Sequence, residues 1–435
     1  MRRRPITALF LLIAPAVPLA AQTFTTIYNF GTASGDGVAP AAGVVIGKNG
    51  TLYGTTSEGG NTACGDVFGC GTVFSLKPPA LSGGTWTETV LHGFDTTTGD
   101  GGSPLGGVTI GPGGVLYGTT EVGGTTDGTG SVYALVPPAA PGAGWVENVL
   151  FSFRGRNGAY PWAGLVVGKG SGSLPTLYGT TANGGTSTNC GQNGCGTAFA
   201  LTPPQSGAMT GTWSETLLHR FSSTGDGSTP FAGLVAGSHG VLYGVTFYGG
   251  TSGAGTVFAL VPPAAPGGAW TEAVVHSFSG TDGANPQGVL AVGPDGVLFG
   301  TTAYGGPANG GTVFSLAPPS SPGGPWTETV LFGFGVSCQG INPLSGVVVG
   351  TNAGGQSVLY GTTANGGASG MGTVFSLAPP TYDGGMWAET VLHSFGGVDG
   401  NYPIGSLAVG GDGTLYGTTK MGGTAGAGTV FTVTP

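Results

Sequence analysis

Short apolar or alternating runs, separated by glycine-rich polar stretches, recur from residue 24 to residue 433. Four kinds of run form a set that repeats seven times. The first is almost wholly apolar: GVVIG at 43–47, then GVTIG, GLVVG, GLVAG, VLAVG, GVVVG and SLAVG. Such a run predicts a strand buried on both faces. The second is Leu-Tyr-Gly-Thr-Thr, with its aromatic residue at Tyr53, Tyr117, Tyr178, Tyr243, Phe299, Tyr360 and Tyr416. The third is GTVFSL at 71–76 and its relatives. The fourth, first seen from Trp86 to Phe94, alternates large and polar residues, which predicts an outer, half-exposed strand. Glycine pairs such as Gly59-Gly60 follow the second run and supply turns, and Pro78-Pro79 and its counterparts end pairing after the third.

The aromatic residues of the second run stand 56 to 65 residues apart. A period of that size marks a propeller or a solenoid. Four short strands in seven copies predict an all-β, seven-bladed β-propeller with four strands per blade. The order resembles that of NHL-type propellers, which implies that the apolar strand after a proline is innermost and the Trp-containing strand outermost. Inner strands are expected near 43–47, 107–111, 164–168, 233–237, 288–293, 346–350 and 406–410. A lone fourth run stands at 24–30, while 406–433 holds only the first three. The N-terminal strand is therefore expected to complete the last blade and close the ring, leaving no unpaired edge.

Composition supports this reading. The 435 residues include 94 Gly and 31 Pro, which nearly exclude helices, since each costs about 1 and 3 kcal/mol respectively in a helix interior. The 7 Trp, 13 Tyr and 21 Phe argue against disorder. Residues 1–21 place three arginines before an apolar run that ends in small residues, so a signal peptide is expected there, with 22–435 as one domain. Location is then secreted or periplasmic, and no membrane anchor is expected. Without Arg2, Arg3 and Arg4, 7 basic side chains face 19 acidic ones. That balance disfavours nucleic acid and anionic membranes, leaving an extracellular ligand or protein as the partner.

The compound string LYGTT-x-x-GG followed by GTVFSL resembles the GloVer (Gloeo/Verruco) tandem-repeat family over essentially all of 24–433. The resemblance implies a secreted bacterial repeat protein of unknown activity, many relatives carrying a C-terminal anchor. It supplies no catalytic residues.

Cys64 and Cys70, and Cys190 and Cys195, fall in the two longest loops between the second and third runs. In a secreted protein each pair reads as a local disulfide, with Cys338 left as a free thiol. His92, His219, His276 and His393 share a position that elsewhere holds Tyr28, Phe151 and Phe332, which reads as a packing slot. Glu88, Glu147, Glu215, Glu272, Glu328 and Glu389 follow the repeat Trp by two and are expected to be solvated on the outer strand.

One constellation suits a ligand. Asp36, Asp100, Asn157, Asp226, Asp282, Gln339 and Asp399 each precede a glycine in the loop entering the inner strand. In a propeller these loops share one face, so five carboxylates could ring the channel mouth and take a hydroxyl-rich ligand or a cation. The alternative is that they are turn formers, since Asx side chains bond their own backbone. No cofactor is expected, although calcium would suit such a ring. Arg154, Arg156 and Trp162 combine cation and aromatic in one junction, and Tyr160, Tyr248 and Tyr304 also break the repeat. The expected function is a binding or structural module, with a carbohydrate or other extracellular ligand. The alternative is a carbohydrate-active hydrolase or lyase at the channel mouth, but no P-loop, Ser-His-Asp order or H-E-x-x-H zinc motif appears.

Overall fold

A computed structural model describes residues 22–60, 69–81, 83–124, 127–140, 142–170, 174–265, 267–321, 323–335, 339–352, 354–382 and 384–435. Seven antiparallel four-stranded sheets form the seven blades of a propeller. Blade 1 consists of Val45–Ile46, Leu52–Thr56, Thr72–Lys77 and Thr87–Gly93 from axis to rim. Blades 2 to 6 repeat it within 109–152, 166–220, 235–277, 291–333 and 348–394. Blade 7 joins Ala408–Val409, Leu415–Thr419 and Thr429–Thr434 to Thr23–Asn29, so the first strand of the chain closes the ring.

The second strand carries glycine at its centre because an aromatic ring lies over it. A Cβ on Gly54 would stand 2.5 Å from the Phe74 ring. That ring is in turn the target of the blade before. Phe30 packs edge-on to Phe74 at 5.0 Å, and the pairs Phe94–Tyr133, Phe153–Phe199, Phe221–Phe258, Phe278–Phe314, Phe334–Phe375 and Phe395–Phe431 repeat the contact around the ring. Each such pair adds about 0.5–1.5 kcal/mol beyond area burial.

The two threonines of the second strand divide the polar work. The last bonds the first residue of the third strand, as Thr56 Oγ1 does to Thr72 Oγ1 at 2.8 Å. The one before it crosses to the next blade. Thr55, Thr119, Thr180, Thr301, Thr362 and Thr418 donate to the carbonyls of Gly106, Ala163, Ala232, Ser345, Pro403 and Ala42 at 2.7–3.2 Å. Blade 4 has Val245 at this position, 1% exposed, so it has no hydroxyl to give. By repeat equivalence its acceptor would be the Gly288 carbonyl. Val245→Thr is therefore expected to stabilise the protein by about 0.5–1.5 kcal/mol. The urea midpoint measures this, and an unchanged or lower midpoint would show that this seam differs from the other six.

The inner strands are shorter than expected. They pair over two residues in six blades, and over Val348–Thr351 in blade 6. They are also not buried on both faces. Val44 is buried, but Val45 and Ile46 are half-exposed. The seven strands surround an open channel of about 770 Å³, which their residues line instead of filling.

Candidate functional site at the channel mouth

Each loop from an outer strand to the next inner strand carries an Asp-Gly turn, or Asn157-Gly158 or Gln339-Gly340 in its place. Before it, the outer strand carries a bulge: Val73 pairs with His92 and Phe74 with Val90, leaving Leu91 unpaired. A bulge re-aims the side chains that follow. His92 Nε2 meets Asp100 Oδ2 at 2.8 Å, and His219–Asp226, His276–Asp282 and His393–Asp399 repeat this at 2.8–3.0 Å. Tyr28 Oη donates to Asp36 Oδ2 at 3.1 Å. Turn amides complete the set, as Ser222 N does to Asp226 and Gly396 N to Asp399. Burial works to raise the Asp226 and Asp282 carboxyls, but hydrogen bonds from the turn serine and the histidine outweigh it and hold both below the usual range.

The histidine position is thus more than a packing slot. The ring stands edge-on to its own phenylalanine, 4.8 Å for His92 on Phe94, and also holds the aspartate. Where the chain has Phe151 and Phe332, the loop has Asn157 and Gln339 in place of aspartate. Donor and carboxylate are lost together, a pairing already visible between the two runs. Asn157 instead donates to Glu215 Oε2 at 2.9 Å and accepts from Arg154 N at 2.9 Å.

These turns draw the carboxylates back to their own outer strands. Asp36, Asp100, Asn157, Asp226, Asp282, Gln339 and Asp399 are not among the residues that line the channel. Among the described residues no group of three or more His, Cys, Asp or Glu is placed to hold a metal ion.

The six glutamates differ from expectation. They are half-buried. Glu88, Glu147, Glu272 and Glu328 lie near the aspartates of the preceding junction, and Glu215 meets Asn157. Burial first, then Asp36 beside Glu88, Asp100 beside Glu147 and Asp282 beside Glu328, pushes those carboxyls up to about 7. Burial raises Glu215 and Glu389 to about 7 as well, and raises Glu272. One oxygen of each, Oε1, is buried without a hydrogen-bond partner in the structure. In blade 7 Phe24 takes the glutamate's place and stacks on His393 at 3.6 Å.

Cys190 and Cys195 form a disulfide. Cys70 is also disulfide-bonded, while its expected partner Cys64 and the expected free thiol Cys338 lie outside the described residues. So does the expected signal peptide at 1–21. Arg154 and Arg156 stand exposed in the turn that Asn157 closes, whereas Trp162 faces the channel.

The channel mouth is shaped by the residue before each loop proline. Ala39, Ser103, Tyr160, Thr229, Asn285, Asn342 and Tyr402 all have φ of 54–59°. For a β-branched residue such as Thr229 this is unfavourable. Two bonds enforce it: Thr229 N donates to the Cys195 carbonyl at 2.8 Å, and its own carbonyl accepts from Phe247 N at 3.1 Å. Corresponding bonds hold the other six. The turn directs the residue after the proline into the channel. Those residues are Ala41, Leu105, Trp162, Phe231, Gln287, Leu344 and Ile404. Sequence reasoning singled out only Trp162, although this is a position whose chemistry changes from copy to copy inside an otherwise constant loop.

On one side the aromatic members join. Trp162 stacks on Phe231 at 4.4 Å and 10°, Phe231 meets Phe247 edge-on at 5.1 Å, and Phe247 meets Tyr248 at 4.6 Å. Tyr248 is 52% exposed. Trp162 Nε1 donates to Glu121 Oε1 at 3.0 Å, and Ser103 Oγ to Glu121 Oε2 at 3.2 Å, which fixes the indole. Three to four blades around the ring, Tyr402, Ile404 and Lys420 line the opposite wall.

The structure is a closed seven-bladed propeller with a broken-symmetry aromatic ladder at one end of its channel. The chain belongs to the Gloeobacter/Verrucomicrobia repeat family, whose model matches it over residues 16–190, 68–291 and 183–431. No curated protein sequence matches it. Among solved structures it is similar to Trypanosoma rangeli sialidase, with 16% identity and a TM-score of 0.40, over 82% of this chain and 57% of that one. A Dyadobacter fermentans protein of unknown function has 11% identity and a TM-score of 0.45, over 95% of this chain and 99% of that one. PorZ, a surface component of the Porphyromonas gingivalis type-IX secretion system, has 12% identity and a TM-score of 0.45, over 89% of this chain and 45% of that one. Among the described residues no helix is long and apolar enough to cross a membrane.

Proposed function

We propose that the protein is a secreted binding module that takes a carbohydrate at the mouth of its channel. The aromatic ladder from Trp162 to Tyr248 carries this reading. Trp162 and Phe231, both half-buried, offer apolar ring surface to the concave channel, and Phe247 and the exposed Tyr248 extend the ladder outward from them. Rings held rigid by neighbours cost little entropy to use, which is why aromatic anchors dominate binding sites. The common two-carboxylate glycosidase mechanism would need a pair of carboxylates flanking the ligand. Glu121 accepts from Trp162 and Ser103 instead, which makes it a support for the indole. Secretion is supported by the Arg-led apolar leader and by the disulfides, which persist in oxidising compartments.

An array of oligosaccharides probed with the full mature chain tests the binding reading. Trp162→Ala is expected to weaken the strongest binder by about thirtyfold, as for an aromatic anchor contributing about 2 kcal/mol. An array without binders, or binding indifferent to Trp162→Ala, would overturn it.

A further inference from the structure

In every blade the amide of the residue that follows Leu-Tyr-Gly-Thr-Thr is bonded to the carbonyl of the strained pre-proline residue. In four of the seven blades it is Ser or Ala at 57, 182, 303 and 364. The exceptions are Glu121, Phe247 and Lys420, in blades 2, 4 and 7. Glu121 reaches the post-proline residue of the next blade, Trp162. Phe247 packs on Phe231. Lys420 occupies the equivalent place in blade 7, where the next post-proline residue is Ala41. Alanine ends at Cβ and offers an ammonium group neither a ring nor an acceptor.

Lys420 is the only charged residue among the described residues that line the channel. No ion pair among the described residues involves it. The chain has 10 basic side chains against 19 acidic ones, so a half-buried cation in an otherwise neutral channel is against the composition. A charge held away from bulk water attracts a counter-charge more strongly than an exposed one.

Resting on the carbohydrate reading above, we infer that the ligand is anionic: Lys420 receives a carboxylate or sulfate of an acidic oligosaccharide whose sugar face lies on the ladder across the channel. A cavity of about 770 Å³ is of the size that buries a short oligomer.

Titration calorimetry on the full mature chain tests this with three probes of equal length: a neutral oligosaccharide, a carboxylated one and a sulfated one. The acidic probes are expected to bind at least tenfold more tightly than the neutral one at low salt, and the advantage to shrink as salt rises. Lys420→Met is expected to abolish that advantage and leave the melting temperature unchanged. Trp162→Ala is expected to weaken neutral and acidic probes alike. Preference between the two acidic probes distinguishes uronate from sulfate, and either one supports the inference. Equal affinity for neutral and acidic probes, or an acidic advantage that survives Lys420→Met, overturns the anion site while leaving the carbohydrate reading intact. Failure of all three probes to bind overturns both.

Discussion

A chain that starts at residue 31 is expected to lose cooperative unfolding. Thr23–Asn29 is the whole outer strand of blade 7, paired from Thr23↔Thr434 to Asn29↔Thr429. Phe30 follows it directly, fully buried against Phe74 at the junction with blade 1. The strand also places Phe24 on His393 of blade 6. Its removal takes contacts from both neighbouring junctions and leaves Thr429–Thr434 as an open edge, a site for aggregation. Phe30→Ala alone should cost about 3–5 kcal/mol, comparable with the lower end of the total stability of a folded domain. Thermal or urea unfolding of the shortened chain measures the effect, and a peptide of residues 22–30 should restore the transition in trans. A shortened chain with an unchanged midpoint would show that the ring does not depend on its closure.

Stability is also expected to fall as pH rises from about 4.5 to about 7. Five glutamates titrate near 7 in the folded protein, and Glu272 is raised with them. Unfolded, they would ionise near 4.5. Between those values the native state binds more protons than the unfolded one, so stability declines with pH. Below 4.5 the six cease to matter, and the depressed Asp226 and Asp282 take over with the opposite sign: their contribution is lost as pH drops through their folded values. Maximum stability is therefore expected on the acid side of neutrality. Solvent screens each half-exposed glutamate, so the effect comes from six sites of one sign. Calorimetry at constant ionic strength from pH 4.5 to 8 tests this. Glu147→Gln should raise the melting temperature at pH 8 and leave it unchanged at pH 4.5. A melting temperature that climbs from pH 5 to 8 would contradict the desolvation argument.

The same glutamates show where sequence reasoning stops. Glu88 alternates with large residues, and alternation correctly places it on the outermost strand. Alternation describes a single sheet, though, and in a propeller a neighbouring blade covers the face that an isolated edge strand would show to water. The strands, their number and the closure were legible because seven copies repeat the same local chemistry. Two-residue inner ladders were not, since an apolar run reads the same whether it lines a hollow or fills it. The histidine–aspartate clasps were legible in principle: His92 and Asp100 change together with Phe151 and Asn157. Reading each position as its own column hid the link. The channel mouth was half-legible. Trp162 stood out as an odd residue, but Phe231, Phe247 and Lys420 gain meaning only when the ring brings distant copies to one opening.

The strained residue before each loop proline has an evolutionary consequence. Its two backbone bonds are the same whether the side chain is Ala39, Thr229 or Tyr402, and that backbone sets the direction of the residue after the proline. Fold and lining are thus encoded at separate positions. Single substitutions can rewrite the channel one address at a time while the threonine, histidine and phenylalanine contacts between blades stay untouched. A lineage of such proteins could diversify its ligands without passing through unfolded intermediates, in the way antibody frameworks tolerate change in their loops.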